Sequence, residues 1–386
     1  MIKNQLMRLV KEKRTLLGVG PMSSNCIDAV IELSNAHRIP ILLIASRRQI
    51  DSEDFGGGYV NHWTTDKFCR YVFDNDWGGK VYLCRDHGGP WQHPVETANK
   101  LGLRDAMKSA KDSYQCDIES GMQIIHIDAS VDIHKTPTME EVLDRVLELY
   151  EFCWEKASIT NTPLEFEIGT EEQAGATSDA LEFEQMLKKV NAYCVKYKMP
   201  TPLFVVVQNG TKVVENRNVG SFDIPLRIAD EVAPEIQIPI MEKICHNNGT
   251  LIKAHNTDYL SDDSLRWYPR LGIHAANVAP EFGVIESMAI IDILEKSGLS
   301  SLADDFMQIA FDSRKWEKWM TPNSKASDRT KSIIAGHYIY STPEFWALKE
   351  QMKSELENKG IDLDDFLKDE VKKSIYRYLK NFRMVR

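Results

Sequence analysis

The chain alternates short apolar runs with stretches of helical periodicity, and this alternation constrains its fold more than any other feature. The apolar runs predict eight buried strands, at residues 14–20, 39–45, 80–84, 121–128, 164–168, 202–207, 250–254 and 271–276. Helical patterns follow them, at residues 24–37, from about 65, at 95–111, 138–156, 178–195, 224–233 with 240–245, 262–267 and 281–296. Eight such units predict an α/β fold, a parallel (β/α)8 TIM barrel, and their regularity favours it over the alternative, a doubly wound open sheet.

The alternation stops near residue 298. Residues 343–358 and 363–381 have the pattern of amphipathic helices rich in Lys and Glu. We therefore predict a barrel over residues 1–297 and a helical C-terminal extension over residues 298–386, packed on the barrel or on a neighbouring subunit.

Composition argues against several classes of protein. The seven cysteines among 386 residues are scattered and never form a CxxC pair, which argues against a disulfide framework or a zinc–thiolate site. A net charge of −10 without a long basic tract argues against nucleic acid and anionic membranes as partners. No apolar run approaches the roughly 18 residues of a membrane span, and the first residues lack the apolar region of a signal peptide. We expect a cytoplasmic protein.

Acidic and imidazole side chains stand where three predicted strands end. Asp86 and His87 follow the third strand, Glu167 ends the fifth and His255 follows the seventh. The carboxyl ends of all barrel strands share one face, so we expect these groups to meet there. Imidazole and carboxylate suit zinc, manganese or iron and leave a position open for substrate. We predict a divalent-metal site, although each residue taken singly also fits a turn, a cap or a strand position.

Further candidates lie near the same face. Asp86 is predicted to exchange a proton with the substrate, and Glu171 and Glu172 in the loop after the fifth strand are second acid–base candidates. The predicted substrate-binding residues are Ser23, Asn25, Ser46, Gln208, Asn256, Asp258 and Asn277. For those after the first two strands, loop and helix-cap roles are equal alternatives. His126 lies inside the fourth strand, where packing is the more common role.

Several segments resemble a known family. They are KVYLCRDHGGPWQHP at residues 80–94, IIHIDAS at 124–130, FEIGTE at 166–171, VVVQNG at 205–210, KAHNTDY at 253–259 and SDR at 327–329. Together they resemble the tagatose-bisphosphate aldolase class II accessory (non-catalytic) subunit family, which is similar to the class II ketose-bisphosphate aldolases. The resemblance implies a barrel in which His87, Glu167 and His255 bind the metal and Asp86 is the proton donor. Zinc is the expected ion, with manganese, iron, cobalt or nickel as alternatives.

Two positions depart from the aldolase pattern. Gln208 stands where the sixth strand of those enzymes has a metal-binding histidine, and Asn256 to Tyr259 replace the expected glycine–serine phosphate loop. These departures leave three interpretations open. The chain is a metal-dependent lyase that cleaves a tagatose 1,6-bisphosphate-like ketose, a C4-epimerase of a ketohexose or its phosphate, or a non-catalytic subunit that stabilises a separate aldolase.

The expected partners follow from these interpretations. They are a sugar or sugar phosphate and, in the third case, a catalytic aldolase subunit, within a homo- or hetero-oligomer. A kinase is disfavoured because the chain has no G-x-x-x-x-G-K-[ST] loop, and its glycine run at residues 56–58 lacks the lysine.

Overall fold

Eight parallel strands pair edge to edge and close on themselves, with the eighth strand bonded to the first. The structure is a computed structural model and describes residues 2–169, 179–223 and 232–386. The barrel strands are Leu16–Val19, Ile41–Ser46, Val81–Gly88, Ile124–Asp128, Glu165–Gly169, Phe204–Val207, Leu251–Ala254 and Ala275–Val278. The predicted TIM barrel is confirmed, because near-continuous apolar strands are buried on both faces, as a parallel barrel requires.

Helices cover the outside of the barrel. Those up to the eighth unit are Ile2–Lys11, Ser24–His37, Thr65–Asn75, Pro94–Ala98, Leu103–Glu119, Met139–Thr160, Ala180–Lys196, Pro234–Asn247, Asp262–Leu271 and Pro280–Lys296. The third unit has two helices where one was predicted, and Gly102 caps the start of the second. The predicted helix at 224–233 falls largely outside the described residues, as does the first residue of the helix predicted at 178–195. A two-stranded antiparallel ribbon, Val213–Val214 with Arg217–Asn218, follows the sixth strand and was not predicted.

The C-terminal region is helical, as predicted. Its α-helices are Ser300–Asp312, Asp328–Ala335, Pro343–Glu357 and Leu363–Asn381, and short 3-10 turns lie at Glu317–Trp319 and Gly336–Tyr338. The last helix buries Val371, Ile375 and Tyr378 in the same apolar core as the barrel, while the others share a second core with the helix Pro280–Lys296. The division at residue 298 remains a prediction. Among the described residues, no helix is long and apolar enough to cross a membrane.

A buried ion pair ties the third strand to the helix Leu103–Glu119 outside it. Arg85 and Asp117 are both fully buried, and the Arg85 Nε lies 2.7 Å from an Asp117 carboxylate oxygen. The same guanidinium donates to the backbone carbonyls of Ala45 and Ile50, at 2.8 and 2.7 Å. This contact fixes the loop that leaves the second strand, because a buried guanidinium is stable only when its donors are satisfied.

Two buried histidines make the fold sensitive to acid. His337 is 1% exposed, and within the described residues neither ring nitrogen has a hydrogen-bond partner. Burial, together with the charge of Lys318, lowers the pKa of His337 to about 3. Burial likewise lowers the pKa of His274 to about 4, and the Nδ1 of this ring accepts the N–H of Ile252 at 3.0 Å.

We predict that the free energy of unfolding falls as the pH drops below about 6.5. The unfolded chain gains protons there and the folded chain does not, which costs about 1.4 kcal/mol per pH unit for each histidine until its folded pKa is reached. His337→Leu removes a ring without hydrogen bonds, so this variant should lose about 2 kcal/mol less than the wild type between pH 7 and pH 5. Urea unfolding at the two pH values measures this difference.

His37→Asn is the matched control, because His37 is exposed at the opposite end of the barrel from the strand carboxyl ends. This variant should keep the wild-type pH dependence. If the free energy of unfolding of His337→Leu depended on pH as in the wild type, His337 would not be a source of the acid sensitivity.

Candidate metal centre and active-site cavity

The carboxyl ends of the third, fifth and seventh strands bring their ionisable side chains together. The His255 Nε2 lies 3.1 Å from a Glu167 carboxylate oxygen and 3.9 Å from the Asp86 Oδ1. The imidazole of His87 lies beside them, with 4.9 Å between its ring centroid and that of His255. All four predicted residues therefore lie in one cluster.

His126 joins this cluster. Its Nδ1 lies 3.6 Å from the Asp86 Oδ1 and 3.8 Å from the Glu167 Oε1. Asp86, His126, Glu167 and His255 each present one ligand atom, and these atoms lie within 4.8 Å of one another. A tetrahedral ion at about 2.1 Å from its ligands places them about 3.4 Å apart. The donor types and spacing thus fit a divalent cation, and this group contains His126 where the sequence predicted His87.

The strand pattern contained a signal for His126. Side chains alternate between the two faces of a strand, so His126 shares its face with Asp128, which also ends on the cavity side. The Nδ1 of His126 accepts the backbone N–H of His87 at 3.2 Å. Its Nε2 is buried and has no hydrogen-bond partner within the described residues. A buried nitrogen without a partner is unusual and is consistent with a site that takes a ligand.

Glu167 is held ionised by a buried lysine. Burial would raise the pKa of this carboxyl, but Lys253, His126 and His255 together lower it to about 2. The Lys253 Nζ lies 2.5 Å from the Glu167 Oε2, and both side chains are buried. One carboxylate oxygen thus pairs with Lys253, while the other faces the imidazoles.

Asp86 is also held ionised. Burial opposes this, but the neighbouring imidazoles of His87, His126 and His255 lower the pKa of the Asp86 carboxyl well below its usual range. Its Oδ1 accepts a hydrogen bond from the Asn277 side-chain amide at 3.2 Å. An ionised carboxylate at the cavity wall can accept a proton from a substrate hydroxyl.

His87 is held between two carboxylates. Burial would lower the pKa of its imidazole, but Asp86 and Asp128 raise it to about 9. The Nδ1 lies 2.7 Å from an Asp128 oxygen, and the residue adopts a left-handed backbone conformation with φ of 43°. The two carboxylates thus favour the protonated ring, which would have to lose its proton to bind a metal.

A cavity of about 200 Å³ opens beside this cluster. Asp86, His87 and His255 line it, and four predicted substrate-binding residues lie in its wall: Ser46, Asn256, Asp258 and Asn277. A second opening of about 300 Å³ exposes the other side of the imidazoles, next to Asp128 and Gly169. Cavities thus lie on two sides of the imidazoles.

The other predicted residues are placed differently. Ser23 caps the helix Ser24–His37, and both Ser23 and Asn25 hydrogen-bond Glu286, at 2.5 and 2.8 Å. These contacts give Ser23 and Asn25 a structural role. Neither residue lines the cavity beside the cluster. Gln208 is buried one residue beyond the sixth strand. Glu171 and Glu172 lie outside the described residues.

The C-terminal region completes the wall of the 200 Å³ cavity. Lys318, Trp319 and Tyr338 line it together with the barrel residues. Sequence reasoning assigned these three residues no role, because they lie in the C-terminal region, which has no strand to point them at the barrel face. Only the folded chain brings them to the site.

The fold and the site define a class, a (β/α)8 barrel with a candidate divalent-metal group at the carboxyl ends of its strands. No protein-family model matches the chain, and no curated protein matches it in sequence. The resemblance to the accessory-subunit family therefore remains a prediction.

Solved structures share the fold. One, from Sinorhizobium meliloti and described as a probable tagatose 6 phosphate kinase, has a TM-score of 0.74 at 17% identity, covering 95% of this chain and 100% of that one. The fructuronate-tagaturonate epimerase of Cohnella laeviribosi has a TM-score of 0.58 at 10% identity, over 96% of this chain and 81% of the other. The fructose-bisphosphate aldolase of Campylobacter jejuni has a TM-score of 0.56 at 10% identity, covering 100% of this chain and 94% of that one. At these identities the likeness establishes the barrel alone.

The position of the His126 ring depends on a glycine. A Cβ added at Gly169 would lie 2.6 Å from the His126 Nε2, and the φ of Gly169 is not in the left-handed region. We predict that Gly169→Ala displaces the ring and weakens metal binding by 10-fold or more, with an intact fold. Metal titration of the purified variant measures this change.

Gly102→Ala is the matched control. It adds the same methyl group where nothing lies within 4 Å, also without a left-handed φ. Its metal affinity should equal that of the wild type. Equal affinities in both variants and the wild type would show that the His126 ring is not a ligand.

Proposed function

We propose that the chain is a metal-dependent enzyme of carbohydrate metabolism that cleaves a ketose by a reversible retro-aldol reaction. The observation that carries this proposal is the convergence of Asp86, His126, Glu167 and His255 beside a cavity at the carboxyl ends of four strands. Barrel enzymes assemble their catalytic groups at this face. The names of two barrels with the same fold, a fructose-bisphosphate aldolase and a fructuronate-tagaturonate epimerase, support a ketose substrate.

Glu167 and His255 are the proposed metal ligands common to the predicted set and the observed group. His87 or His126 supplies a further imidazole, and zinc is the expected ion. When bound, a divalent cation would polarise the substrate carbonyl at C2 and stabilise the enediolate that cleavage produces. The ion pair with Lys253 holds Glu167 in place and ionised.

Asp86 is the proposed base. Its carboxylate takes the proton from the C4 hydroxyl, the C3–C4 bond breaks, and the bonding electrons pass to C3 as the enediolate while C4 leaves as an aldehyde. The hydrogen bond from Asn277 orients the carboxylate toward the cavity. Glu171 or Glu172 would then protonate C3, which remains a prediction from the sequence.

The same groups also support C4 epimerisation. If the aldehyde fragment turns over before the bond re-forms, the proton returned by Asp86 and the new C3–C4 bond give the C4 epimer. The observation that favours this second candidate is the opening on both sides of the cluster, which leaves room for a fragment to turn.

The test begins with metal analysis and turnover by the chain alone. We expect one divalent ion per chain, and cleavage of tagatose 1,6-bisphosphate or conversion of fructose 6-phosphate to its C4 epimer. Glu167→Gln and His255→Asn should lose both metal and activity. Asp86→Asn should lower kcat by about 10²–10⁴-fold, because acid–base groups contribute on that order. Metal analysis of this variant shows whether Asp86 is also a ligand.

His87→Asn and His126→Asn identify the remaining ligand, since the variant that loses metal has lost a bond to it. His37→Asn makes the same change far from the site and should keep full activity. A protein without metal and without turnover, whose His87→Ala variant still supports the activity of an added class II aldolase, would instead be a non-catalytic subunit.

A further inference from the structure

A second, larger cavity adjoins the one beside the metal group. It has a volume of about 710 Å³, and Arg48, Tyr59, Lys318 and Tyr338 line both cavities. A molecule seated on the metal group can therefore extend into the second cavity past these four side chains. No carboxylate among the described residues lines the second cavity.

Three cations surround this junction, namely Arg48, Lys315 and Lys318. Within the described part of the chain, none of them forms an ion pair with a carboxylate, and all three are exposed. The neighbouring Arg47 behaves in the opposite way, because it is buried and pairs with Asp51 and Glu96 at 2.9 and 2.5 Å. Arg47 thus pairs with the nearby carboxylates, whereas Arg48 lines the cavity.

The ammonium of Lys318 is held in a fixed place. Its Nζ lies 4.7 Å from the ring centroid of Tyr338 and 4.8 Å from that of Trp319, within cation–π range. Partial burial of the ammonium, with the charges of Arg48 and Lys315, lowers the pKa of Lys318 to about 8. A cation beside other cations is stabilised when an anion binds among them.

The glycine run beside the junction cannot hold an anion through its backbone. The N–H groups of Gly56, Gly57 and Gly58 already donate to the carbonyls of Glu53, Ser52 and Trp63, at 2.9, 3.0 and 3.3 Å. Backbone nests bind anions only through free N–H groups. Side-chain cations are therefore the groups available to an anion here.

We propose that Arg48, Lys315 and Lys318 bind a phosphate group of the substrate, at the end that extends from the metal group into the second cavity. Three cations that have no carboxylate partner in the described ranges match a phosphate dianion better than a singly charged carboxylate. The site rests on the proposed function for the identity of the substrate, but its affinity for an anion does not. Two of its three residues come from the C-terminal region, so that region determines which substrates the barrel accepts.

The direct test is calorimetric titration of the full-length protein with inorganic phosphate at low ionic strength. We expect Lys318→Gln and Arg48→Gln each to weaken phosphate binding by 10-fold or more. Lys189→Gln is the matched control, because Lys189 is exposed on the helix Ala180–Lys196, outside both cavities, and it should bind like the wild type. Acetate, the carboxylate probe, should bind at least 10-fold more weakly than phosphate.

A second experiment distinguishes the anion site from the metal group. The His255→Asn variant should lack activity and still bind phosphate like the wild type, so phosphate binding tests the anion site even if the proposed function is wrong. In the active protein, Lys318→Gln should raise KM for a phosphorylated ketose by a larger factor than KM for the unphosphorylated sugar. Phosphate affinity that survives in both cation variants, or that acetate equals, would overturn the proposal.

Discussion

The buried ion pair between Glu167 and Lys253 is the interaction on which the candidate site depends. A carboxylate inside a barrel would ordinarily take up a proton, because burial disfavours its charge. The ammonium at 2.5 Å keeps it ionised, and its second oxygen remains available to the imidazole of His255 at 3.1 Å. Removing one partner of such a pair typically costs about 3–5 kcal/mol, since the other charge stays buried. The electrostatics of the site are therefore part of the stability of the barrel.

Charge in this barrel is arranged in two zones. The strand ends hold ionised carboxylates, Asp86, Asp128 and Glu167, each with an imidazole beside it. The junction of the two cavities carries cations that form no ion pair with a carboxylate among the described residues. A substrate with a neutral, hydroxylated centre and an anionic end would meet complementary groups along its whole length. The two zones of charge come from different parts of the chain, because the barrel supplies the carboxylates and the C-terminal region supplies two of the three cations.

The fold and much of the candidate site followed from local patterns. Apolar runs of five to eight residues, separated by helical spacing, leave few architectures besides a barrel. Asp86, Glu167 and His255 could be assigned together because strand ends in a barrel share one face. His126 was missed because a histidine between isoleucines more often packs than binds a ligand, and the face that it shares with Asp128 was the one signal against packing. Ser23 and Asn25 show the converse, since polar groups near a strand end can instead serve a helix cap and a buried glutamate.

The sequence by itself determined the barrel and the chemical types at its strand ends, because both depend on the order of residues within short segments. The tertiary structure decided which of these groups touch and in which direction their pKa values shift. The pKa of the His87 imidazole is raised by its neighbour Asp86 and by Asp128, which is 41 residues away in the sequence but lies 2.7 Å from the ring. Arg48 and Lys318 likewise meet only after folding, since no local pattern joins a barrel loop to a turn some 270 residues later. Such contacts depend on closure of the barrel and packing of the C-terminal helices, which neighbouring residues in the chain do not encode.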